Sequence, residues 1–156
     1  MRRITEIIIH CSATRAGRDY RAADIDKWHR QQGFAEIGYH FVVDLDGTIE
    51  VGRGIEKVGA HCRGHNAQSI GICYVGGLDA KGRPADTRTQ AQRDALETLV
   101  YVLVSTYPIE DICGHRDTSP DANGDGEIAP DEWIKDCPCF NVRDEFSLAI
   151  CKAKKI

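Results

Sequence analysis

The chain has 156 residues, a length that predicts one domain with a sizeable hydrophobic core. Hydrophobic residues make up 42% of the chain and charged residues 28%, which excludes disordered, collagen-like and other fibrous proteins. The formal net charge of −4 argues against a strongly basic surface, so we expect neither nucleic acid nor an anionic membrane as a partner.

The amino-terminal segment MRRITEIIIHCSAT contains only three consecutive isoleucines after its two arginines. A secretory signal needs about 7–15 apolar residues and a membrane span about 20, so we expect neither. The seven cysteines are an odd number, which favours reduced thiols over a disulfide framework. We therefore expect the chain to be made and folded in the cytoplasm.

The first predicted elements are a strand and a helix. The apolar, β-branched run at residues 6–11 is typical of a buried central strand. Residues 19–32 predict a helix, because Ile25, Trp28 and Gln32 fall on one face and a glycine follows.

A hairpin and another strand come next. Residues 39–43 and 48–51 flank an Asp-Gly pair, which is a strong hairpin signal. Residues 69–75 then predict a further strand that ends at two glycines.

The second half of the chain predicts two helices and a brief strand. A capping box at residues 89–92 opens a long helix with an apolar stripe, bounded by Pro108, and residues 109–113 form a short strand. Asn141 caps a last helix that we expect to run through Cys151. Strands interleaved with helices predict an α/β fold with a central mixed β-sheet flanked by helices.

Three residues have chemistry that suits a metal ion. His10 ends the first strand, His115 lies in CGHRD and Cys137 lies in KDCPCF. Two imidazoles and a thiolate can hold Zn²⁺ and leave a fourth position for water or substrate. Their wide separation does not fit a zinc finger and suits an open catalytic site. The residues alone also allow a structural role for each of the three.

Six stretches of the chain follow one another in the order of a known family. They are IIIHCSAT, DIDKWHRQQGF, IGYHFVVDLDGTIEVGR, VGAHCRGHNAQSIGICYVGGLDAKG, GHRDTSP and KDCPCF. In this order they resemble the zinc-dependent N-acetylmuramoyl-L-alanine amidases, which include amidase-type phage lysozymes and the peptidoglycan recognition proteins. The resemblance covers nearly the whole chain and implies a single amidase domain at residues 1–156, with an open zinc site in a surface groove.

The resemblance implies a role for each matching position. His10, His115 and Cys137 match the zinc ligands, Tyr39 matches the tyrosine beside the water at the metal, and Lys135 matches the catalytic lysine. The implied reaction is hydrolysis of the amide between N-acetylmuramic acid and L-alanine, in peptidoglycan or muropeptides. Apart from the resemblance, Tyr39 would be an ordinary strand tyrosine and Lys135 a solvated lysine.

A glycine-rich loop at residues 58–66 precedes a strand, and loops of this kind often carry binding residues. We predict that His61 and Asn66 contact substrate there, the alternative being that they only shape the turn. Cys139 is a rival to Cys137 as ligand, but the family motif places the ligand before a proline. His29 and His40 are interpreted as structural. We interpret the remaining cysteines as small core residues or idle thiols; they are Cys11, Cys62, Cys73, Cys113 and Cys151.

A stretch at residues 121–132, DANGDGEIAPDE, departs from the small phage enzymes and matches the calcium-loop pattern of an EF-hand. The predicted oxygen ligands are Asp121, Asn123, Asp125, Glu127 through its carbonyl, and Glu132. The segment before the loop is not a helix and a partner EF-hand is absent, so an acidic turn without an ion is the alternative. We favour calcium, which would brace the loop between His115 and Cys137.

Two readings compete with a peptidoglycan amidase. A non-catalytic recognition module would bind wall fragments, but such relatives lose the ligand cysteine, whereas Cys137, Tyr39 and Lys135 are all present here. A polymerase-binding role rests only on resemblance to certain phage lysozymes, and no residue specifies such a surface. The size favours a monomeric, endolysin-like enzyme from a phage or prophage, which acts on the cell wall after release or on wall fragments.

Overall fold

The computed structural model describes residues 1–153. Its strands are β1 (Glu6–Cys11), β2 (Thr14–Arg15), β3 (Phe41–Val43), β4 (Ile49–Val51), β5 (Ser69–Tyr74), β6 (Gly77–Leu78) and β7 (Asp111–Gly114). Its helices are α1 (Ala22–Gln31), α2 (Gln90–Thr106), α3 (Val142–Phe146) and α4 (Ala149–Ala153).

A five-stranded sheet in the order β4-β3-β5-β1-β7 organises the fold. Strand β1 lies between β5 and β7 and runs parallel to both, and β3 runs parallel to β5. Strand β4 is antiparallel to β3, as the Asp-Gly hairpin signal predicts. The sheet is therefore mixed, and the predicted α/β fold class is confirmed.

Helices cover both faces of this sheet. On one face, the α2 side chains Leu96 and Val100 belong to a core cluster with Ile7 and Ile9 of β1. On the other face, Ile25 of α1 packs with residues of β3 and β5. Because side chains alternate along a strand, Ile8 and His10 point away from α2. Within residues 1–153, no helix combines the length and apolar character that a bilayer crossing requires.

The capping box of α2 is confirmed. The Thr89 hydroxyl accepts a hydrogen bond from the Gln92 backbone N–H (3.1 Å), and the Gln92 side chain accepts one from Thr89 N–H (3.0 Å). The prediction that the first helix begins at residue 19 is wrong, since α1 begins at Ala22. Arg21 is extended and donates its N–H to the Asp24 carboxylate (2.8 Å), which sets the start of the helix.

The last helix is also shorter than predicted. Asn141 does cap it, because its side-chain oxygen accepts the Asp144 N–H (3.3 Å). The expectation of one continuous helix through Cys151 is wrong, because a turn separates α3 from α4. The Ser147 hydroxyl donates to the Asp144 carbonyl (3.2 Å), and such local bonds compete with the helical ladder.

Candidate metal centre

Three donor side chains converge at the carboxyl ends of two neighbouring strands. His10 is the second-last residue of β1, His115 directly follows β7, and Cys137 lies in a later loop. One ligand atom from each residue lies within 4.8 Å of the ligand atoms of the other two. Parallel pairing of β1 with β7 therefore brings together residues that are far apart in sequence.

His10 is completely buried, and its two ring nitrogens contact different neighbours. Its Nδ1 lies 3.9 Å from Cys137 Sγ, and its Nε2 lies 2.9 Å from His61 Nδ1. Burial lowers the pKa of His10 well below its usual value, and the neighbouring His61, His115 and Lys135 lower it further. The imidazole is therefore neutral at pH 7, which is the form that binds metal ions.

The loop that carries Cys137 is fixed against the strands. The backbone N–H of Cys11 donates to Cys137 Sγ (3.3 Å), and the Arg116 N–H donates to the Cys137 carbonyl (2.8 Å). Gly114 permits this approach, because a Cβ there would come within 2.6 Å of Pro138 Cδ. The sulfur thus receives a backbone hydrogen bond of the kind that stabilises a thiolate.

These donors fit zinc. Two imidazole nitrogens and one cysteine sulfur are donors that zinc prefers, and a three-residue set leaves a position open to solvent or substrate. The rival Cys139 lies elsewhere, with its sulfur 3.4 Å from the Gly77 carbonyl oxygen. The geometry therefore groups Cys137, and not Cys139, with the two histidines.

A groove of about 310 Å³ opens onto these donors. Tyr39 and Lys135 both line it, as do His115 and Cys137. The Tyr39 ring lies 5.0 Å from the His10 ring, and burial raises the pKa of the Tyr39 hydroxyl well above its usual value. The phenol therefore keeps its proton, and the exposed Lys135 adds a positive charge at the groove.

The loop residues predicted to contact substrate have partners within the protein. His61 lines the groove, but Nδ1 of its ring faces His10 and Nε2 lies 3.2 Å from Ser69 Oγ. The Asn66 side-chain oxygen accepts the N–H groups of His61 and Cys62, both at 2.9 Å. The geometry gives both residues a role in shaping the loop, and their contact with substrate remains a prediction.

His29 and His40 each support backbone. His29 Nδ1 accepts the Gly38 N–H (2.9 Å), although its ring also lines the groove. His40 is completely buried and its Nδ1 accepts the Gly71 N–H (3.0 Å). These contacts agree with the structural interpretation of both residues.

The predicted calcium loop is held by its own backbone. Asp121 accepts the N–H groups of Gly124 (2.6 Å) and Gly126 (2.9 Å), while Glu132 accepts that of Ala122 (2.8 Å). Among residues 1–153, the clusters of His, Cys, Asp and Glu donors within 4.8 Å of one another include none from this loop. Calcium binding at residues 121–132 stays a prediction.

A second donor cluster, which the sequence did not indicate, consists of Glu6, Asp111 and Cys113. Glu6 and Asp111 are register partners in β1 and β7, at the opposite end of the strands from His10. Their carboxylates have partners: Glu6 accepts a hydrogen bond from His65 Nδ1 (2.9 Å), and Asp111 pairs with Arg143 (3.0 Å). Sequence reasoning had no signal for this cluster, since it depends on strand register.

The chain is similar to known proteins in sequence and in fold. The chain is 40% identical over 131 residues to an endolysin of Enterobacteria phage K11. The match covers 84% of this chain and 85% of the relative. It is 43% identical over 139 residues to an endolysin of Klebsiella phage KP32, with 89% and 83% covered.

A solved structure shows the same fold. The N-acetylmuramoyl-L-alanine amidase LysC from Clostridium intestinale URNW superposes with a TM-score of 0.71 at 28% identity, covering 96% of this chain and 85% of LysC. The family model described as N-acetylmuramoyl-L-alanine amidase matches residues 1–138, which include all three converging donors. The chain therefore belongs to the N-acetylmuramoyl-L-alanine amidase family.

Proposed function

We propose that this chain is a zinc-dependent amidase that holds its metal with His10, His115 and Cys137. As a member of its family, it hydrolyses the amide between N-acetylmuramic acid and L-alanine in peptidoglycan. The observation that carries the zinc proposal is the convergence of the three donor atoms within 4.8 Å beside an open groove.

Amide hydrolysis adds water across the carbon–nitrogen bond and leaves a lactyl carboxylate and the amino group of alanine. An amide is a weak electrophile, and bound zinc would supply Lewis-acid activation of the water or the carbonyl. The remaining steps fall to side chains of the groove, which must orient the reactants and stabilise the negative charge that develops on the carbonyl oxygen.

Tyr39 and Lys135 suit these two tasks. The Tyr39 phenol keeps its proton, so it can donate a hydrogen bond that orients water or the carbonyl oxygen. The Lys135 ammonium lies at the same groove and can stabilise an oxyanion. His10 remains neutral because of its burial, which keeps its Nδ1 available as a ligand.

The endolysin relatives support a proposal for where the enzyme acts. Phage endolysins act on the cell wall, and we extend this site of action to the present chain, with release from the producing cell before the wall is reached. We further propose that it acts as a single domain and as a monomer, on intact peptidoglycan or on muropeptides.

The decisive experiment counts new amino groups released from purified peptidoglycan, with reducing sugar ends counted in parallel. It uses the protein as purified, after strong chelation, and after zinc is added back. We expect amino-terminal alanine without reducing ends, lost on chelation and restored by zinc. The matched variants are Cys137→Ser, which should be inactive, and Cys139→Ser, which should retain activity.

Two outcomes would contradict the proposal. Binding of wall fragments without release of amines under any metal condition would indicate a recognition module. Equal loss of activity in both cysteine variants would remove the distinction between Cys137 and Cys139 on which the ligand set depends.

A further inference from the structure

We infer that His61 is a positioning residue for the metal centre, because it accepts a hydrogen bond from His10 and so fixes the ring with Nδ1 toward the other donors. This inference rests on the proposed zinc site. It gives His61 a role that differs from the substrate contact predicted by its place in a glycine-rich loop.

The two nitrogens of His10 have separate uses. Nδ1 lies 3.9 Å from Cys137 Sγ and therefore faces the other donors, while Nε2 lies 2.9 Å from His61 Nδ1. The two imidazole planes meet at 85° with ring centroids 5.0 Å apart. An edge-on approach of this kind allows the Nε2–H of one ring to point at a nitrogen of the other.

Only one placement of protons satisfies these contacts while Nδ1 of His10 acts as a ligand. A neutral His10 with a free Nδ1 lone pair carries its proton on Nε2, so His61 Nδ1 must be the acceptor. His61 then carries its own proton on Nε2, which lies 3.2 Å from the hydroxyl oxygen of Ser69. Ser69 is completely buried at the start of β5 and provides a fixed acceptor.

Two glycines make a slot for the His61 ring. A Cβ at Gly71 would lie 2.5 Å from ring atoms of His61, and one at Gly59 would lie 2.6 Å from the same ring. Asn66 holds the loop by accepting the backbone N–H groups of His61 and Cys62. The ring is therefore confined in position, and both of its nitrogens are committed to protein partners.

Partners of this kind orient a metal ligand and fix its tautomer, and their loss typically costs about 10–100-fold in metal affinity. The contribution of His61 should therefore appear in zinc binding itself and not only in turnover. A substrate contact would instead change KM and leave the affinity for zinc unchanged.

The test compares two variants of His61. Each preserves one of its two ring contacts, either the one with His10 or the one with Ser69. In His61→Asn, the amide oxygen can lie near the position of Nδ1 and accept the proton of His10. In His61→Gln, the longer side chain reaches toward Ser69 and leaves Nε2–H of His10 without its acceptor. The measured quantities are the zinc dissociation constant, by competition with a chromophoric chelator, and the absorption spectrum of the Co²⁺-substituted protein.

We expect His61→Gln to raise the zinc dissociation constant about 10–100-fold and to alter the Co²⁺ spectrum. His61→Asn should stay within about threefold of the wild type, since it keeps the hydrogen bond to His10. Ser69→Ala tests the outer contact without touching the ring, and it should weaken zinc binding by less than His61→Gln does. Melting of the metal-free proteins, followed in parallel, reports any loss of folding.

Equal zinc affinity in wild type and both His61 variants would overturn the inference, and a raised KM in those variants would return His61 to substrate binding. Equal weakening in both variants, matched by equal loss of metal-free stability, would show that His61 only fills space. If the wild type binds zinc but releases no amines, the proposed function fails. The role of His61 is still tested in that case by the zinc dissociation constants of the variants. If the wild type binds no zinc, both fail.

Discussion

Strands β1 and β7 carry two donor clusters, one at each end, and the clusters differ in what surrounds them. At the carboxyl ends, His10 and His115 meet Cys137 beside an open groove. Toward the amino ends, Glu6, Asp111 and Cys113 lie equally close to one another, and Cys113 is almost completely buried.

The difference lies in the partners of the donors. At the amino end, the two carboxylates are already bonded to His65 and Arg143, so a cation would have to displace both contacts. At the carboxyl end, His10 is neutral and its Nδ1 faces a sulfur that accepts a backbone N–H. Proximity of donor atoms is therefore a weak criterion for a metal site. The hydrogen bonds and ion pairs that each donor already makes distinguish the two clusters.

The largest expected effect is a difference in zinc content and activity between variants of Cys137 and Cys113, the cysteines of the two clusters. Cys137→Ser should remove zinc and lower amine release by about 10³-fold or more, since the metal supplies most of the activation of the amide. Cys113→Ser should keep zinc and most of the activity, with a loss of about 1–3 kcal/mol in the free energy of unfolding from burial of a hydroxyl. The measurements are bound zinc per chain, amine release and denaturant unfolding.

A full zinc content in Cys137→Ser, or loss of zinc in Cys113→Ser, would reverse the assignment of the two clusters. Cys139→Ser serves as the control for changes in the loop of Cys137, because its sulfur contacts a backbone carbonyl and not the donors.

The next effect concerns the positive charge that Lys135 adds at the groove. Lys135→Ala should lower kcat by about 10²–10³-fold, the usual cost of removing one donor to an oxyanion, while zinc content stays unchanged. Asp136→Ala, next in the chain, is the control and should stay within about threefold of wild type. A change confined to KM in Lys135→Ala would make the lysine a binding residue instead.

Local sequence patterns were sufficient to predict several strands of the sheet and the start of its long helix. The β-branched run of β1, the Asp-Gly hairpin and the capping box at Thr89 are each determined by neighbours in the chain, and all three are confirmed. The parallel pair of β2 with β6 was not predicted, because two-residue strands carry no periodic signal and depend on contacts distant in sequence.

The candidate site was predictable only in part, for the same reason. His10, His115 and Cys137 each look like ordinary residues in isolation, and the ordered family motifs singled them out. The hydrogen bond from His10 to His61 and the cluster around Glu6 depend on register and loop packing. No spacing rule in the sequence encodes those contacts.

Acid should also destabilise the fold through a buried histidine outside the proposed ligand set. Burial lowers the pKa of His40 to about 4. An unfolded histidine titrates near 6.5, so on acidification the unfolded chain takes up a proton before the folded one does. The free energy of unfolding of the metal-free protein should therefore fall as the pH drops below 6.5, with about 2 kcal/mol lost to His40 by pH 5.

His40→Asn isolates this contribution. Its amide oxygen can still accept the Gly71 N–H that His40 Nδ1 accepts at 3.0 Å, so the backbone contact is preserved. The variant should be less stable at pH 7, but it should lose about 2 kcal/mol less than the wild type between pH 7 and pH 5. Urea unfolding of both metal-free proteins at the two pH values measures this, and equal losses would assign the acid sensitivity to other groups.

The smallest expected effect is that of calcium on the 121–132 loop, which connects His115 to Cys137 and so belongs to the groove end alone. If the loop binds calcium, a concentration about 10 times the dissociation constant should add about 1.4 kcal/mol of stability, or a few degrees in Tm. The measurement is melting of the zinc-loaded protein with and without added Ca²⁺.

Glu132→Gln is the control, because its amide oxygen can still accept the Ala122 N–H (2.8 Å) while the charge needed for calcium is gone. A shift in the wild type that disappears in the variant would place calcium in the loop. If Ca²⁺ shifts the Tm of neither protein, the loop is an acidic turn held by hydrogen bonds to its own backbone. The strands and the Cys137 loop alone would then order the groove end.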